Sequence, residues 1–149
     1  MVEFPLDFIA RTLSGFCVCY FKNATHDADA PPHFHITIPI NDDASLLLCI
    51  ITSQAESRIK YYKKTSEAAI SSLLEVNNND LSFLKKGSIV ECNQPVLIHK
   101  QKFGKIVDPD HKFKVVSRDI PADIKEKIVK AIKDSPIVKP FIKKLIKYP

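Results

Sequence analysis

Between Leu46 and Thr52 the chain reads Leu-Leu-Leu-Cys-Ile-Ile-Thr, an apolar run with no polar alternation. A strand with one face in water alternates, so a continuous run of this length points to a strand covered on both faces. Its surroundings agree. Pro39 to Ser45 carries the turn signal Asn41-Asp42-Asp43, and His33 to Ile38 just before it reads as another strand, which suggests a hairpin.

Other short runs extend the sheet. Phe16 to Phe21, bulky and partly aromatic, follows Gly15 as a buried strand. Lys22 to Pro32 is a long polar excursion closed by Pro31-Pro32, which cannot continue a ladder of hydrogen bonds. Ser71 to Val76, Ser88 to Cys92 and Val96 to His99 make three more strands, and Ile106-Val107 and Lys114 to Ser117 add to the sheet. Many short strands at close spacing, with no parallel βαβ units, favour a barrel or sandwich over a wound sheet. Ser53 to Ser72 is polar and basic, with room for a short helix. After Asp119-Ile120-Pro121, residues Ile124, Ile128, Ala131 and Ile132 recur at helical spacing. Ser135-Pro136 separates that helix from a second, residues 136 to 148, which Pro140 either kinks or starts.

A chain of 149 residues is the size of one domain, with strands in 15–118 and amphipathic helices in 119–149. The class expected is mainly β (α+β). Met1 to Asp7 has acidic residues where a secretory signal is basic, and no apolar run approaches the roughly 20 residues of a membrane span. Cys17, Cys19, Cys49 and Cys92 read as reduced thiols in a chain with a sizeable core, which makes the cytoplasm the expected setting and a membrane partner unexpected. A net charge of +5 permits a polyanionic partner. Much of the excess lies in lysines after Lys125, which equally suit the solvated face of a helix.

Taken in order, Gly15 before a strand, Pro32 opening the next, Thr52-Ser53 ending a third, Cys92-Asn93-Gln94-Pro95 after a fourth, and Ile120-Pro121 before the closing helix resemble the PemK/MazF (Kid) family of toxins. The resemblance implies a small SH3-like antiparallel β-barrel carrying C-terminal helices. It also implies a metal-independent endoribonuclease that cleaves single-stranded RNA by 2′-hydroxyl attack, working without a cofactor, as a homodimer paired with an antitoxin protein. Two departures stand out. Pro31-Pro32-His33 replaces the basic-Pro pair of the family, and Val96 stands where Kid-like members carry an Arg.

Such cleavage needs a base, an acid and fixed donors for the charge that develops on phosphorus. His33 and His35 alternate along a strand, which places both on one face about 6.6 Å apart along it. As an acid and base pair they could straddle a phosphate, with Thr52 and Ser53 holding its oxygens. Lys22, Arg58, Lys60, Lys63, Lys64 and His99 are candidate RNA contacts, and Tyr61, Tyr62, Phe34 or Tyr20 could stack unpaired bases. Each residue also has an ordinary reading, since His-x-His suits half-exposed sheet and Thr-Ser suits a strand end. A metal site from His33, His35, Cys17 and Cys19 is the weaker sharp reading, because Cys-x-Cys inside an apolar strand is usually packing. The alternative function, favoured by Val96, is a barrel without catalysis that binds RNA or a protein.

Overall fold

The computed structural model describes residues 5–148. Seven strands form one antiparallel sheet: β1 (Val18–Phe21), β2 (His33–Ile38), β3 (Ser45–Thr52), β4 (Leu73–Val76), β5 (Ser88–Glu91), β6 (Val96–His99) and β7 (Lys114–Ser117). The helices are α1 (Leu6–Thr12), α2 (Ala55–Thr65), α3 (Phe103–Ile106), α4 (Ala122–Asp134) and α5 (Pro140–Leu145). The fold is therefore α+β.

The sheet runs β4-β5-β3-β2-β1-β7, so β4 and β7 are its edges and it does not close into the expected barrel. The apolar run is its spine. One edge of β3 pairs with β2, and the other is shared: Ser45 to Leu48 pair with β6, while Ile51 and Thr52 pair with β5. From Ser88 to His99 the chain thus follows β3 along its length and leaves it only at residues 92–95.

Both faces of β3 are covered, which is why its sequence does not alternate. Leu47, Cys49 and Ile51 enter the main core with Ile36, Ile38 and the buried stripe Ile124, Ile128 and Ile132 of α4. Leu46 and Leu48 point the other way, into a cluster with Ala10, Leu13, Phe21 and Phe103 beneath α1 and α3. Farther along that same face, under α2, lies a third cluster of Tyr62, Ala69, Leu73 and Ile89. Two apolar clusters with a gap between them leave a hollow on one face of the sheet.

Several details differ from the sequence reading. Helix α1 comes as an addition, and it packs Ala10 against the second cluster. The strand expected from Ser71 starts at Leu73, after a 3₁₀ segment, Glu67–Ser72. Val107 makes only an isolated bridge, to Asn23. The second C-terminal helix is short, and Pro140 starts it: φ is already fixed there and its missing N–H lies at a position with no helical acceptor. Gly15 has φ of +66°, a conformation that disfavours any residue with a Cβ.

The C-terminal segment is fastened to residues 92–95. Ser135 is fully buried; its Oγ donates to Asn93 Oδ1 at 2.7 Å and accepts from the backbone N–H groups of Ile137 and Val138. Asn93 in turn donates through Nδ2 to the Ala69 carbonyl at 2.8 Å.

Candidate functional site

Two hollows, each about 590 Å³, lie on opposite faces of the sheet around the first residues of β2 and the last of β3. The first is the gap between the apolar clusters. Its floor is Leu48 and Ile50 of β3, with His35 and Thr52 beside them, and Val96 and Glu91 from the neighbouring edge. Arg58 and Gln54 near the start of α2 form one wall; His26 and Asp27 of the β1–β2 excursion form another.

His35 is 5% exposed, and its ring stacks on Phe21 with centroids 4.0 Å apart and planes 16° from parallel. Nδ1 lies 3.0 Å from the His33 carbonyl oxygen. A carbonyl only accepts, so Nδ1 bears the proton and Nε2 the lone pair. Burial pushes the imidazole pKa down to about 3, and the nearby His33 and His26 work in the same direction against the stabilising carbonyl contact. The ring is neutral at any physiological pH.

Glu91 is 2% exposed and fully engaged. Its Oε2 accepts from Arg58 Nε at 3.0 Å and from Tyr62 Oη at 3.0 Å, with Arg58 Nη2 also 2.9 Å away; Oε1 accepts from the Asn93 N–H. Desolvation, reinforced by the Glu91 charge, raises the Tyr62 pKa to about 12, so the phenol remains a donor. This network pins α2 to the sheet and fixes Arg58 at the wall of the hollow.

The second hollow is a groove on the α4 side of the sheet. Cross-strand register sets Lys114 beside Tyr20, Tyr20 beside Phe34, and Phe34 beside Ile51, one row across β7, β1, β2 and β3. Tyr20 and Phe34 have ring centroids 4.7 Å apart, and Phe34 and Phe83 4.6 Å apart, all tilted. Lys85 and Lys86 flank Phe83, both exposed. No Asp or Glu is among the described residues that line this groove.

Against this geometry the candidate residues separate. His35, Thr52 and Arg58 share the first hollow, while His33 and Ser53 line the second. Alternation leaves both histidines on one face of β2, but His35 is buried and held neutral, so the two do not make the expected acid and base pair. The ring beside His33 is His26, at 6.3 Å, and desolvation together with the His26 charge lowers the His33 pKa. His26 is lowered too, by desolvation and by Lys22. Thr52 Oγ1 accepts from the Gln54 N–H at 3.1 Å, the ordinary role of a strand-end hydroxyl.

Lys22 is no RNA contact. It is 2% exposed, because the excursion that follows folds back and presents the Asn23 and Asp27 carbonyls to its ammonium, at 3.3 and 2.7 Å. Lys60, Lys63 and Lys64 are exposed on α2 and line neither hollow; His99 caps the 3₁₀ turn Lys100–Lys102 by accepting from the Gln101 N–H. Tyr62, fully buried, cannot stack on a base, whereas Tyr20 and Phe34 line the groove. Cys17, Cys19, Cys49 and Cys92 are free and buried; burial raises the Cys19 pKa to about 12. Among the described residues no three His, Cys, Asp or Glu side chains converge as a metal site, so the His33, His35, Cys17 and Cys19 set does not assemble. No described helix is long and apolar enough to cross a membrane.

Phe83, Lys85, Lys86 and Lys114 escaped the sequence reading. Their signal was Phe83-Leu84-Lys85-Lys86, an aromatic beside two lysines, but only tertiary folding brings it to Tyr20 and Phe34. Compared with protein-family models, with curated proteins and with solved structures, the chain matches none.

Proposed function

We propose that this chain binds single-stranded RNA in the groove of Tyr20, Phe34 and Phe83 and does not cut it. The observation that carries this reading is the tilted aromatic row bordered by Lys85, Lys86 and Lys114 with no carboxylate among its lining residues. Unpaired bases stack on aromatic faces at about 1–3 kcal/mol each, and lysines follow the phosphates. Paired bases offer no free faces to such a platform. The imidazoles speak against cleavage: burial and neighbouring charge lower the pKa values of His26, His33 and His35, which depletes the cation that a histidine acid would use to protonate a leaving oxygen.

The test is fluorescence anisotropy with a labelled single-stranded RNA. Affinity should fall about 5- to 150-fold in Phe34→Ala and decline steeply with salt. Equal affinity for duplex and single strand, or no loss in Phe34→Ala, overturns the reading.

A second reading keeps the PemK/MazF-like endoribonuclease, a homodimer with an antitoxin partner, on a sheet left open between β4 and β7 where the family would have an SH3-like barrel. It rests on His35, Thr52 and Arg58 sharing one hollow. Cyclic-phosphate ends produced by the wild-type protein in EDTA, and lost in Thr52→Ala, would replace the binding reading with this one.

A further inference from the structure

The first hollow holds a polar atom that the fold leaves to a visitor. His35 Nδ1–H is spent on the His33 carbonyl, and no described residue hydrogen-bonds Nε2. Yet no fully enclosed polar side-chain atom among the described residues lacks a partner. Nε2 therefore opens on the hollow it lines, an acceptor on a side chain that is otherwise buried and clamped against Phe21.

The rest of the hollow defines what could meet it. Leu48, Ile50 and Val96 supply an apolar bed, and Val96 is 49% exposed with nothing laid over it. A flat ring suits that bed. On the wall, Arg58 commits Nε and Nη2 to Glu91 and Tyr62, which leaves Nη1 to donate to an incoming acceptor. Asp27 and Glu91 line the same space, and their negative charge opposes a phosphate entering it.

We propose that this hollow is a nucleobase pocket that selects bases carrying an exocyclic amine, the amine donating to His35 Nε2 while a neighbouring ring nitrogen or carbonyl accepts from Arg58. The inference rests on the reading of the chain as an RNA-binding protein and gives it sequence preference. Held in the same pose, uracil or hypoxanthine turns a carbonyl oxygen toward Nε2 in place of the amine and its ring N–H toward Arg58, donor against donor. Two acceptors then face each other without a proton, and the site loses both its bond and the solvation of the buried nitrogen.

The two hollows are connected by the chain itself. Ala30 lines the pocket and Pro31 the groove; Thr52 and Gln54 line the pocket and Ser53 the groove. A strand with its bases stacked along Phe34 can pass over the ends of β2 and β3 and drop one base into the pocket.

The test compares an all-uridine oligonucleotide with the same oligonucleotide carrying one central cytidine, by anisotropy. At least tenfold tighter binding of the cytidine oligonucleotide is expected, with the ratio falling to about one in His35→Phe, where the ring and its stacking on Phe21 are kept and the acceptor is lost. Equal affinities in the wild type, or a preference that survives His35→Phe, overturn the pocket while leaving RNA binding intact. Free nucleosides give a second readout on the unaltered protein. The ¹⁵N resonance of His35 Nε2 should move saturably with cytidine and adenosine and stay in place with uridine and inosine. That titration decides the pocket even if neither oligonucleotide binds, an outcome that would remove the groove reading alone.

Discussion

Lowering the pH should destabilise this fold through His35 in a way that a single substitution isolates. In the folded chain the imidazole pKa sits at about 3; in the unfolded chain it returns to 6.5. The unfolded state therefore binds the extra proton between those values, and stability rises with pH across that interval. Above 6.5 the contribution is constant; it is lost progressively as pH falls toward 3 and is flat below. At about 1.36 kcal/mol per pH unit the full loss is about 5 kcal/mol, of which about 2 kcal/mol is reached at pH 5. His33 and His26 act in the same direction, and carboxylates change over part of the range, so the wild type alone does not report on His35. The difference between wild type and His35→Phe does. Urea unfolding of both proteins at pH 7.5 and pH 5 should show the wild type losing about 2 kcal/mol more than the variant. Any offset from the substitution itself cancels in that comparison. Equal losses in the two proteins would mean that the imidazole charges freely in the folded state, contrary to its burial beneath Phe21.

Three further outcomes follow from other parts of the fold. Gly15→Ala should cost about 1–2 kcal/mol in chemical denaturation, all of it from the backbone at φ +66°, because the added Cβ meets nothing within 4 Å. Ser135→Ala should cost about 2–3 kcal/mol, since it removes a buried turn-capping hydroxyl and leaves Asn93 Oδ1 without its donor; a loss below about 0.5 kcal/mol would contradict that accounting. Lys85→Glu combined with Lys86→Glu should weaken RNA binding and flatten its dependence on log salt by about two, read by repeating the titration at several salt concentrations.

Strands were legible because their cause is local. Leu46 to Thr52 announces a strand between two covered faces, and Lys114 to Ser117 reads as one more strand, whose place at an edge only the folded sheet reveals. Closure of the sheet was not, because it depends on whether β4 and β7 meet, and no residue near either one encodes that. The two histidines show the limit most clearly. Period-two alternation put them on one face, but depth comes from what lies across it: Phe21 covers His35, while His33 at the strand end faces His26. Lys22 reads as a surface cation until the following loop returns its carbonyls around the ammonium. The groove was half visible, Tyr20 and Phe34 from their own strands, with Phe83 and its lysines arriving from a distant loop.

The departure of residues 92–95 from β3 makes the pocket answerable to a part of the molecule that never touches it. Glu91, Gln94 and Val96, which line the pocket, flank or belong to that departure, and Asn93 at its centre is moored to Ser135. Removing everything after Asp134 would take away the mooring and leave every lining residue in the sequence. That cut also strips Val138 and Ile146 from the main core on which Phe34 packs, so Ser135→Ala is the cleaner severing: in the proposed complex, base selection should fade while stacking on Phe34 persists, which makes the tail a remote tuner of which letters are read.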